Sequence, residues 1–204
     1  MQLPRFYPIV SSVAVAEILL EAGARIVQYR NKDFFSRAAF EDARHIATLC
    51  RQAGALFVVN DRADIARLLD AALHLGQDDL APSDARKILP APDIIGFSTH
   101  NDQQLRAGDA EPVDYLAIGP IFGTQSKQNP DPVVGLERLG ALRAITRKPL
   151  VAIGGITRET APAIFAAGAD AVAIIGDLLP NPCTPAALRA RAQEWLEIAQ
   201  NPAQ

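Results

Sequence analysis

The chain has 204 residues, of which 49% are hydrophobic and 21% are charged, a composition typical of a globular protein rather than a disordered one. Its formal net charge is −3 and no basic stripe is present, so a nucleic-acid surface is not expected. No apolar stretch reaches the roughly 18 residues of a membrane span, and the first residues lack the pattern of a secretory signal. We therefore expect a cytoplasmic protein with no membrane partner, and the sequence leaves open whether it forms a homo-oligomer.

Short apolar runs recur along the whole chain, and eight can be counted. In order they are RFYPIV, ARIVQYR, ALFVVN, ALHLG, DIIGFS, DYLAIG, PLVAIGG and DAVAIIG. Helix-compatible stretches lie between them, among them SVAVAEILLEA, SRAAFEDARHIATLCRQ and LERLGALRAI, and PAALRARAQEWLEIAQ closes the series. Near-continuous apolar strands alternating with helices indicate a parallel sheet covered on both faces.

Eight strand-helix units predict an α/β fold, a closed (β/α)₈ TIM barrel that forms a single compact domain over residues 1–204. The alternative is a doubly wound open sheet. That fold normally carries a nucleotide fingerprint, but the sequence has neither a GxGxxG motif after its first strand nor a Walker lysine motif. In a barrel the functional residues lie where strands end, so the residues that follow each apolar run become the candidates for the site.

The second strand ends in Gln28, Tyr29, Arg30, Asn31 and Lys32. Because side chains alternate along a strand, Gln28, Arg30 and Lys32 are expected on one face. Two cations on one face repel each other unless an anion lies between them. This arrangement favours an anionic ligand, although simple solvation of both cations is the structural alternative.

Carboxylates follow the next two strands. Asn60 and Asp61 end the third strand, and a segment from His74 to Asp79 ends the fourth. Oxygen ligands from two loops, completed by phosphate oxygens, are the usual way in which proteins hold Mg²⁺, so Asp61 and Asp79 are the metal candidates. Ordinary salt bridges are the alternative for each carboxylate. Asp78 is instead expected to cap the following helix.

The remaining strand ends carry hydroxyls and glycines. Ser98 ends the fifth strand, and GPIFGTQSK follows the sixth, with Thr124, Ser126 and Lys127 beyond what a tight turn requires. Gly154-Gly155 follow the seventh strand and Ile175-Gly176 the eighth, where barrels often bind phosphate through backbone N–H groups. Glycines serving only tight loops are the alternative. Together the strand ends predict two anion sites and a group transfer in which pyrophosphate departs.

The motifs QYRNK, VVNDRADIA, HLGQDDL, GFSTHN, GPIFGTQSK and AIGGI, in this order, resemble those of the thiamine-phosphate synthase family across nearly the whole chain. The resemblance implies a (β/α)₈ barrel that joins a pyrimidine diphosphate to a thiazole phosphate with release of pyrophosphate, using Mg²⁺. It also implies that the leaving group departs first, so that no strong general base is required. The partners it implies are small phosphorylated molecules.

Carried over to this sequence, the resemblance gives each candidate a role. It assigns catalytic roles to Arg30, Lys32, Ser98 and Lys127. Gln28 is expected to bind the pyrimidine, and Mg²⁺ is expected between Asp61 and Asp79. The expected ligands of the diphosphate are Arg30, Lys32, Asn60, Ser98 and Lys127. Thr124 and Ser126 are expected beside the thiazole, and its phosphate is expected at Gly155, Ile175 and Gly176. His74 and His100 are expected to be structural, or to support site residues without touching a substrate.

The sequence departs from the family pattern at Tyr29, Asn31, Gly123, Ser126 and Gly176. Gly176 stands where the family usually has Ser, so one hydroxyl toward the thiazole phosphate is missing. The segment before His74 is also about one residue short, which bears on how Asp79 lies relative to Asp61. Two alternative functions follow: a thiazole tautomerase on the same barrel, and a catalytically silent barrel that binds a thiamine precursor and regulates a partner.

Overall fold

The structure is a computed structural model that describes residues 2–31, 36–123 and 131–200. Eight parallel strands pair in chain order and close into a barrel, β1 against β8. The strands are β1 (Phe6–Val10), β2 (Ile26–Tyr29), β3 (Leu56–Asn60), β4 (Ala72–Leu75), β5 (Ile95–Thr99), β6 (Tyr115–Ile118), β7 (Leu150–Ile153) and β8 (Ala171–Ile174). Seven lie within an apolar run and β5 extends one residue past its run, to Thr99, so the barrel prediction is confirmed.

A helix follows each strand. The helices are α1 (Val13–Ala22), α2 (Arg37–Ala53), α3 (Ala63–Leu68), α4 (Pro82–Ile88), α5 (Asp102–Ala110), α6 (Leu136–Arg143), α7 (Ala161–Ala166) and α8 (Pro185–Gln200), with a 3₁₀ turn, Gly176–Leu178, before the last. Local sequence explains several boundaries. The Ser36 hydroxyl accepts a hydrogen bond from the Ala39 N–H at the start of α2, and Gly54 ends that helix with a φ of 63°. None of the helices in these ranges combines the length and hydropathy needed to cross a membrane.

The prediction that Asp78 caps a helix is wrong. Helix α4 begins at Pro82, and its N-cap residue is Ala81, which offers no side-chain oxygen. Proline suits this position because its missing N–H would have no partner in the first turn. Asp78 therefore lies in the loop between β4 and α4 and not at the helix boundary.

Two apolar layers hold the barrel together, one outside and one inside the sheet. The outer layer packs the strands against the helices and includes the stacked rings of Phe6 and Trp195, whose centroids are 5.9 Å apart. The inner layer fills the barrel with small and branched side chains and with two tyrosines, Tyr7 and Tyr115. Alternation along each strand assigns neighbouring residues to opposite layers, so Gln28 and Tyr29 face different sides, as predicted.

Candidate functional site

Strand β2 delivers the first two predicted site residues to the carboxyl end of the barrel. Gln28 is buried, and its Nε2 donates a hydrogen bond to the Tyr7 hydroxyl at 2.9 Å. Arg30 follows the strand, and its backbone N–H donates to the Val10 carbonyl at 2.8 Å, which continues the pairing with β1. Its guanidinium lies close enough to Asp61 and His74 to act on both side chains: it opposes the rise in the pKa of Asp61 and adds to the fall that burial causes in the pKa of His74. Lys32 lies outside the described residues.

Asp61 and Asp79 meet at the ends of β3 and β4. Asn60 pairs in register with His74, and the Asp61 N–H donates to the His74 carbonyl at 2.8 Å, so the first loop stays tied to the neighbouring strand. Asp79 is fixed by the Gly76 N–H, which donates to its Oδ2 at 2.6 Å. The Asp79 carboxyl lies close enough to Asp61 to raise the pKa of the Asp61 side chain. The shortened segment before His74 does not separate them.

The electrostatics of this carboxyl pair are unfavourable without a cation. Burial and the neighbouring Asp79 carboxyl raise the pKa of Asp61 to about 7, while Arg30 opposes the rise. Asp61 also has a φ of 66°, a backbone conformation that costs free energy in a residue other than glycine. Asp61 thus combines a strained backbone with a partly desolvated carboxylate beside a second carboxylate, an arrangement that a divalent cation would relieve.

The carboxylate oxygens of Asp61 and Asp79 suit Mg²⁺, and two such ligands leave further coordination positions of the ion for a substrate. Both side chains present hard oxygen atoms, as Mg²⁺ requires. In the described parts of the chain, no three His, Cys, Asp or Glu side chains cluster as a complete metal site. The remaining ligands of an ion held here would therefore be waters and phosphate oxygens, which is the usual coordination of Mg²⁺ in phosphoryl chemistry.

Ser98 lies on β5, the strand next to β4. Its Oγ is 2.8 Å from Nε2 of His74, and its carbonyl accepts a hydrogen bond from Gln77 Nε2 at 2.6 Å. Gln77 belongs to the same loop as Asp79, so that loop is fastened to β5. The structure thus brings Gln28, Arg30, Asn60, Asp61, Asp79 and Ser98 to the ends of four adjacent strands, β2 to β5.

Two site residues were missed by the sequence analysis, namely Tyr7 and Tyr115. Both rings are buried inside the barrel, and their hydroxyl oxygens are 2.8 Å apart. The sequence held one indication of the Tyr115 ring, namely Gly96, a glycine within β5. A Cβ on Gly96 would lie 2.0 Å from the Tyr115 ring, so this glycine makes the space that the ring occupies.

The other half of the barrel mouth is built by backbone packing. Ile121 and Phe122 donate their N–H groups to the carbonyls of Ile153 and Gly154, at 2.9 and 3.0 Å. Gly155 has a φ of 64°, and a Cβ there would lie 2.5 Å from the Gly123 carbonyl oxygen. Gly155 therefore lets the loop after β7 lie close to the loop after β6. A contact between Gly155 and a phosphate stays a prediction. Thr124, Ser126 and Lys127 lie outside the described residues.

The turn after β8 is held by charged residues that the sequence analysis did not single out. Arg158 Nε donates to the Asp177 carboxylate at 3.0 Å, and Arg191 donates to the Asp177 carbonyl at 2.5 Å. Arg158 also pairs with Glu194 of α8. These bonds fix the 3₁₀ turn that Ile175 and Gly176 open. A Cβ on Gly176 would meet nothing within 4 Å, so open space lies above the turn.

Comparison with known proteins decides the family. Residues 7–178 match the family described as thiamine monophosphate synthase. The chain belongs to this family. A thiamine-phosphate synthase from Koribacter versatilis is 46% identical over 97% of both chains, and one from Pelotomaculum thermopropionicum is 38% identical over 88% of this chain and 83% of its own.

A solved structure shares the architecture. The thiamine phosphate pyrophosphorylase from Pyrococcus furiosus superposes with a TM-score of 0.87 at 29% sequence identity, covering 98% of each chain. A structure titled native KDPGal reaches a TM-score of 0.76 at 15% identity, which indicates a shared fold alone. Membership of the thiamine monophosphate synthase family thus agrees with the resemblance carried by the six motifs.

Proposed function

We propose that this protein is a thiamine-phosphate synthase. It couples 4-amino-5-hydroxymethyl-2-methylpyrimidine diphosphate with 4-methyl-5-(2-phosphoethyl)thiazole and yields thiamine phosphate and pyrophosphate. Such an enzyme is a transferase of a pyrimidinylmethyl group whose partners are small phosphorylated molecules. The curated relatives that cover most of the chain carry this name, which supports the proposal. A cytoplasmic location stays a prediction.

The observation that carries the proposal is that Asp61 and Asp79 lie on adjacent loops after β3 and β4, close enough for Asp79 and Arg30 to act on the pKa of Asp61. A diphosphate leaving group gains negative charge as its bond to carbon breaks. Cations placed where that charge develops lower the barrier, because they are already oriented when the reaction begins. Arg30 and an ion held by the carboxyl pair would have this placement at the ends of β2, β3 and β4.

Asp61 and Asp79 would hold Mg²⁺ in this proposal, with phosphate oxygens and water completing its coordination. Bound there, the ion would supply positive charge that neutralises the departing diphosphate. Arg30 would bind the same diphosphate, together with Asn60 and the predicted ligands Lys32 and Lys127. Gln28 would orient the pyrimidine, and Ser98 would donate a hydrogen bond to a diphosphate oxygen.

The second substrate would occupy the other half of the mouth. Thr124 and Ser126 are the candidates beside the thiazole, while Gly155, Ile175 and Gly176 would present backbone groups to its phosphate. Departure of the diphosphate first leaves a pyrimidine-stabilised cation, which the thiazole nitrogen attacks. No side chain has to remove a proton from the nucleophile in that order of events, since a ring nitrogen attacks through its lone pair.

The test is a reconstituted reaction. Purified protein is mixed with both substrates, with and without Mg²⁺, and thiamine phosphate and pyrophosphate are measured. We expect both products in equal amounts, only with the divalent cation. Interconversion of thiazole tautomers without coupling would favour the tautomerase alternative, and binding of either substrate without chemistry would favour a regulatory barrel.

A further inference from the structure

Five polar side chains form one continuous chain of hydrogen bonds through the barrel interior. Gln28 Nε2 donates to the Tyr7 hydroxyl at 2.9 Å, and the Tyr7 and Tyr115 hydroxyls are 2.8 Å apart. The Tyr115 hydroxyl is 2.9 Å from Nδ1 of His74, and Nε2 of the same ring is 2.8 Å from Ser98 Oγ. The chain therefore joins Gln28 on β2 to Ser98 on β5, two residues that the proposed function places against substrate.

Burial fixes the protonation of the inner members. It raises the pKa of the Tyr7 and Tyr115 hydroxyls, so both keep their protons. The His74 ring is also buried, and its two nitrogens are bonded to the Tyr115 and Ser98 hydroxyls, which carry no charge that would stabilise an imidazolium. Each tyrosine thus has one hydrogen to donate, and the neutral imidazole has one N–H and one acceptor nitrogen.

These single hydrogens allow two directions for the chain. If Gln28 donates to Tyr7, then Tyr7 donates to Tyr115 and Tyr115 donates to His74 Nδ1. The imidazole hydrogen is then on Nε2 and points at Ser98 Oγ, which accepts it. If the Gln28 amide instead presents its carbonyl, every bond reverses, Nδ1 carries the hydrogen, and Ser98 donates to Nε2.

We propose that Gln28 sets the direction of this chain and thereby leaves the Ser98 hydroxyl hydrogen free to bind an anionic oxygen. In the direction that follows when Gln28 donates to Tyr7, Ser98 accepts from His74 and keeps its own hydrogen for a ligand. In the reverse direction that hydrogen is committed to His74, and Ser98 faces a ligand only with lone pairs. The direction of the chain follows from the hydrogen bonds alone, whereas the identity of the anion, a departing diphosphate, rests on the proposed function.

Tyr7, Tyr115 and His74 are positioning residues in this inference, because they act on Ser98 and not on a substrate. No proton leaves any member, and only hydrogen-bond directions are set. The site is built for this role, since Gly96 makes room for the Tyr115 ring and a fully bonded interior network specifies a single arrangement. If His74 only filled space in the barrel interior, it would not have to be held in a single tautomer.

The direct test is the tautomer of His74, read by nitrogen-15 magnetic resonance of the histidine rings. The chain has three histidines, so the His74 signals are those that persist in His45→Gln and in His100→Gln. We expect a single Nε2–H tautomer in the wild type. In Tyr7→Phe, which removes only the hydroxyl that links Gln28 to Tyr115, we expect both tautomers to be populated.

Tyr29→Phe is the matched control. Tyr29 is equally buried, but its hydroxyl accepts from Asn31 Nδ2 at 3.4 Å and lies outside the chain, so the His74 tautomer should not change. Gln28→Leu cuts the same link from the other side of Tyr7 and serves if Tyr7→Phe does not fold. An Nδ1–H tautomer in the wild type, or an unchanged Nε2–H tautomer in both variants, would overturn the inference.

Kinetics separate this inference from the proposed function. In Tyr7→Phe, kcat should fall about tenfold while KM for the thiazole phosphate stays near its wild-type value, because a donor to the leaving group is lost from part of the population. Mixed tautomers with an unchanged kcat would overturn the role given to Ser98. A wild-type protein that makes no thiamine phosphate would contradict the proposed function. The tautomer measurement would still decide the direction of the hydrogen-bond chain.

Discussion

The two halves of the barrel mouth are built on different physical principles. The half at β2 to β5 consists of side chains whose charge and hydrogen-bonding capacity decide what binds, such as Arg30, Asp61 and Ser98. In the described part of the half at β6 to β8, backbone segments approach closely at glycines, as where Gly155 lies against the Gly123 carbonyl, and Arg158 and Asp177 brace the turn after β8. Activity should therefore fall in the first half when a side-chain functional group is replaced, and in the second half when the path of the backbone is altered.

The largest effect is expected for Asp61→Asn, which removes a charge and keeps the shape. Asparagine tolerates the φ of 66° at this position, so the backbone should not move. Loss of the metal carboxylate should lower kcat/KM roughly 10²- to 10³-fold, the scale seen when one preorganised charge-stabilising group is removed. Steady-state assays across Mg²⁺ concentrations, with circular dichroism as a check on the fold, measure it.

The matched control is Asp70→Asn, because Asp70 is an exposed aspartate with a φ of 51°. It should leave both activity and Mg²⁺ dependence unchanged. Wild-type turnover in Asp61→Asn would remove the carboxylate pair from the proposed mechanism.

Gly155→Ala tests the backbone half. A methyl group would meet the Gly123 carbonyl at 2.5 Å in a residue whose φ is 64°, so the loop after β6 must shift. We expect activity to fall about tenfold or more, since misplacing a positioning element by about 1 Å can cost up to 10²-fold. Stability should also fall, by about 1–3 kcal/mol.

Gly54→Ala isolates the backbone strain from the clash. Gly54 has nearly the same φ, 63°, but nothing lies within 4 Å of its would-be Cβ. Denaturant unfolding should show a loss of about 1 kcal/mol and activity should be retained. If both variants lost the same stability and kept the same activity, close approach at Gly155 would have no functional meaning.

Protonation of His74 at acidic pH should destabilise the folded protein. Its pKa is lowered to about 4 in the folded protein, against 6.5 for an ordinary histidine, so the unfolded chain binds the proton more readily. The contribution of His74 to the free energy of unfolding should therefore decrease as pH falls from about 6.5 to about 4, by up to about 3 kcal/mol, while Asp61, whose pKa is raised to about 7, contributes in the opposite direction. Denaturant titrations at several pH values compare the wild type with His74→Gln, and the stability of the wild type relative to the variant should fall by this amount across the range; a constant difference would contradict the assignment.

The smallest effect is expected for Asp177→Asn, which weakens the charged contacts around the turn after β8. KM for the thiazole phosphate should rise about three- to tenfold, while KM for the pyrimidine diphosphate should change little, because only one anion site is loosened. Asp64→Asn breaks an exposed pair with Arg62 and should change neither constant. Equal changes in both KM values would show that the turn does not serve one substrate.

The sequence predicted the elements well because parallel strands buried on both faces are near-continuous apolar runs, such as ALFVVN and DAVAIIG. It also predicted which residues end the strands, including Asn60-Asp61 and Ser98. It did not predict the interior chain, because Tyr7 and Tyr115 come from strands far apart in sequence and each alone is an ordinary core residue. The charged contacts of Asp177 were equally hidden, since Arg158 and Arg191 meet it only in three dimensions.

The most direct test of the central claim is a crystal structure of the protein with Mg²⁺ and pyrophosphate. The account predicts an ion about 2.1 Å from oxygen atoms of Asp61 and Asp79, with the pyrophosphate bridging it to Arg30. An ion and pyrophosphate bound instead beside Gly155 and Gly176, with the two carboxylates unligated, would contradict it.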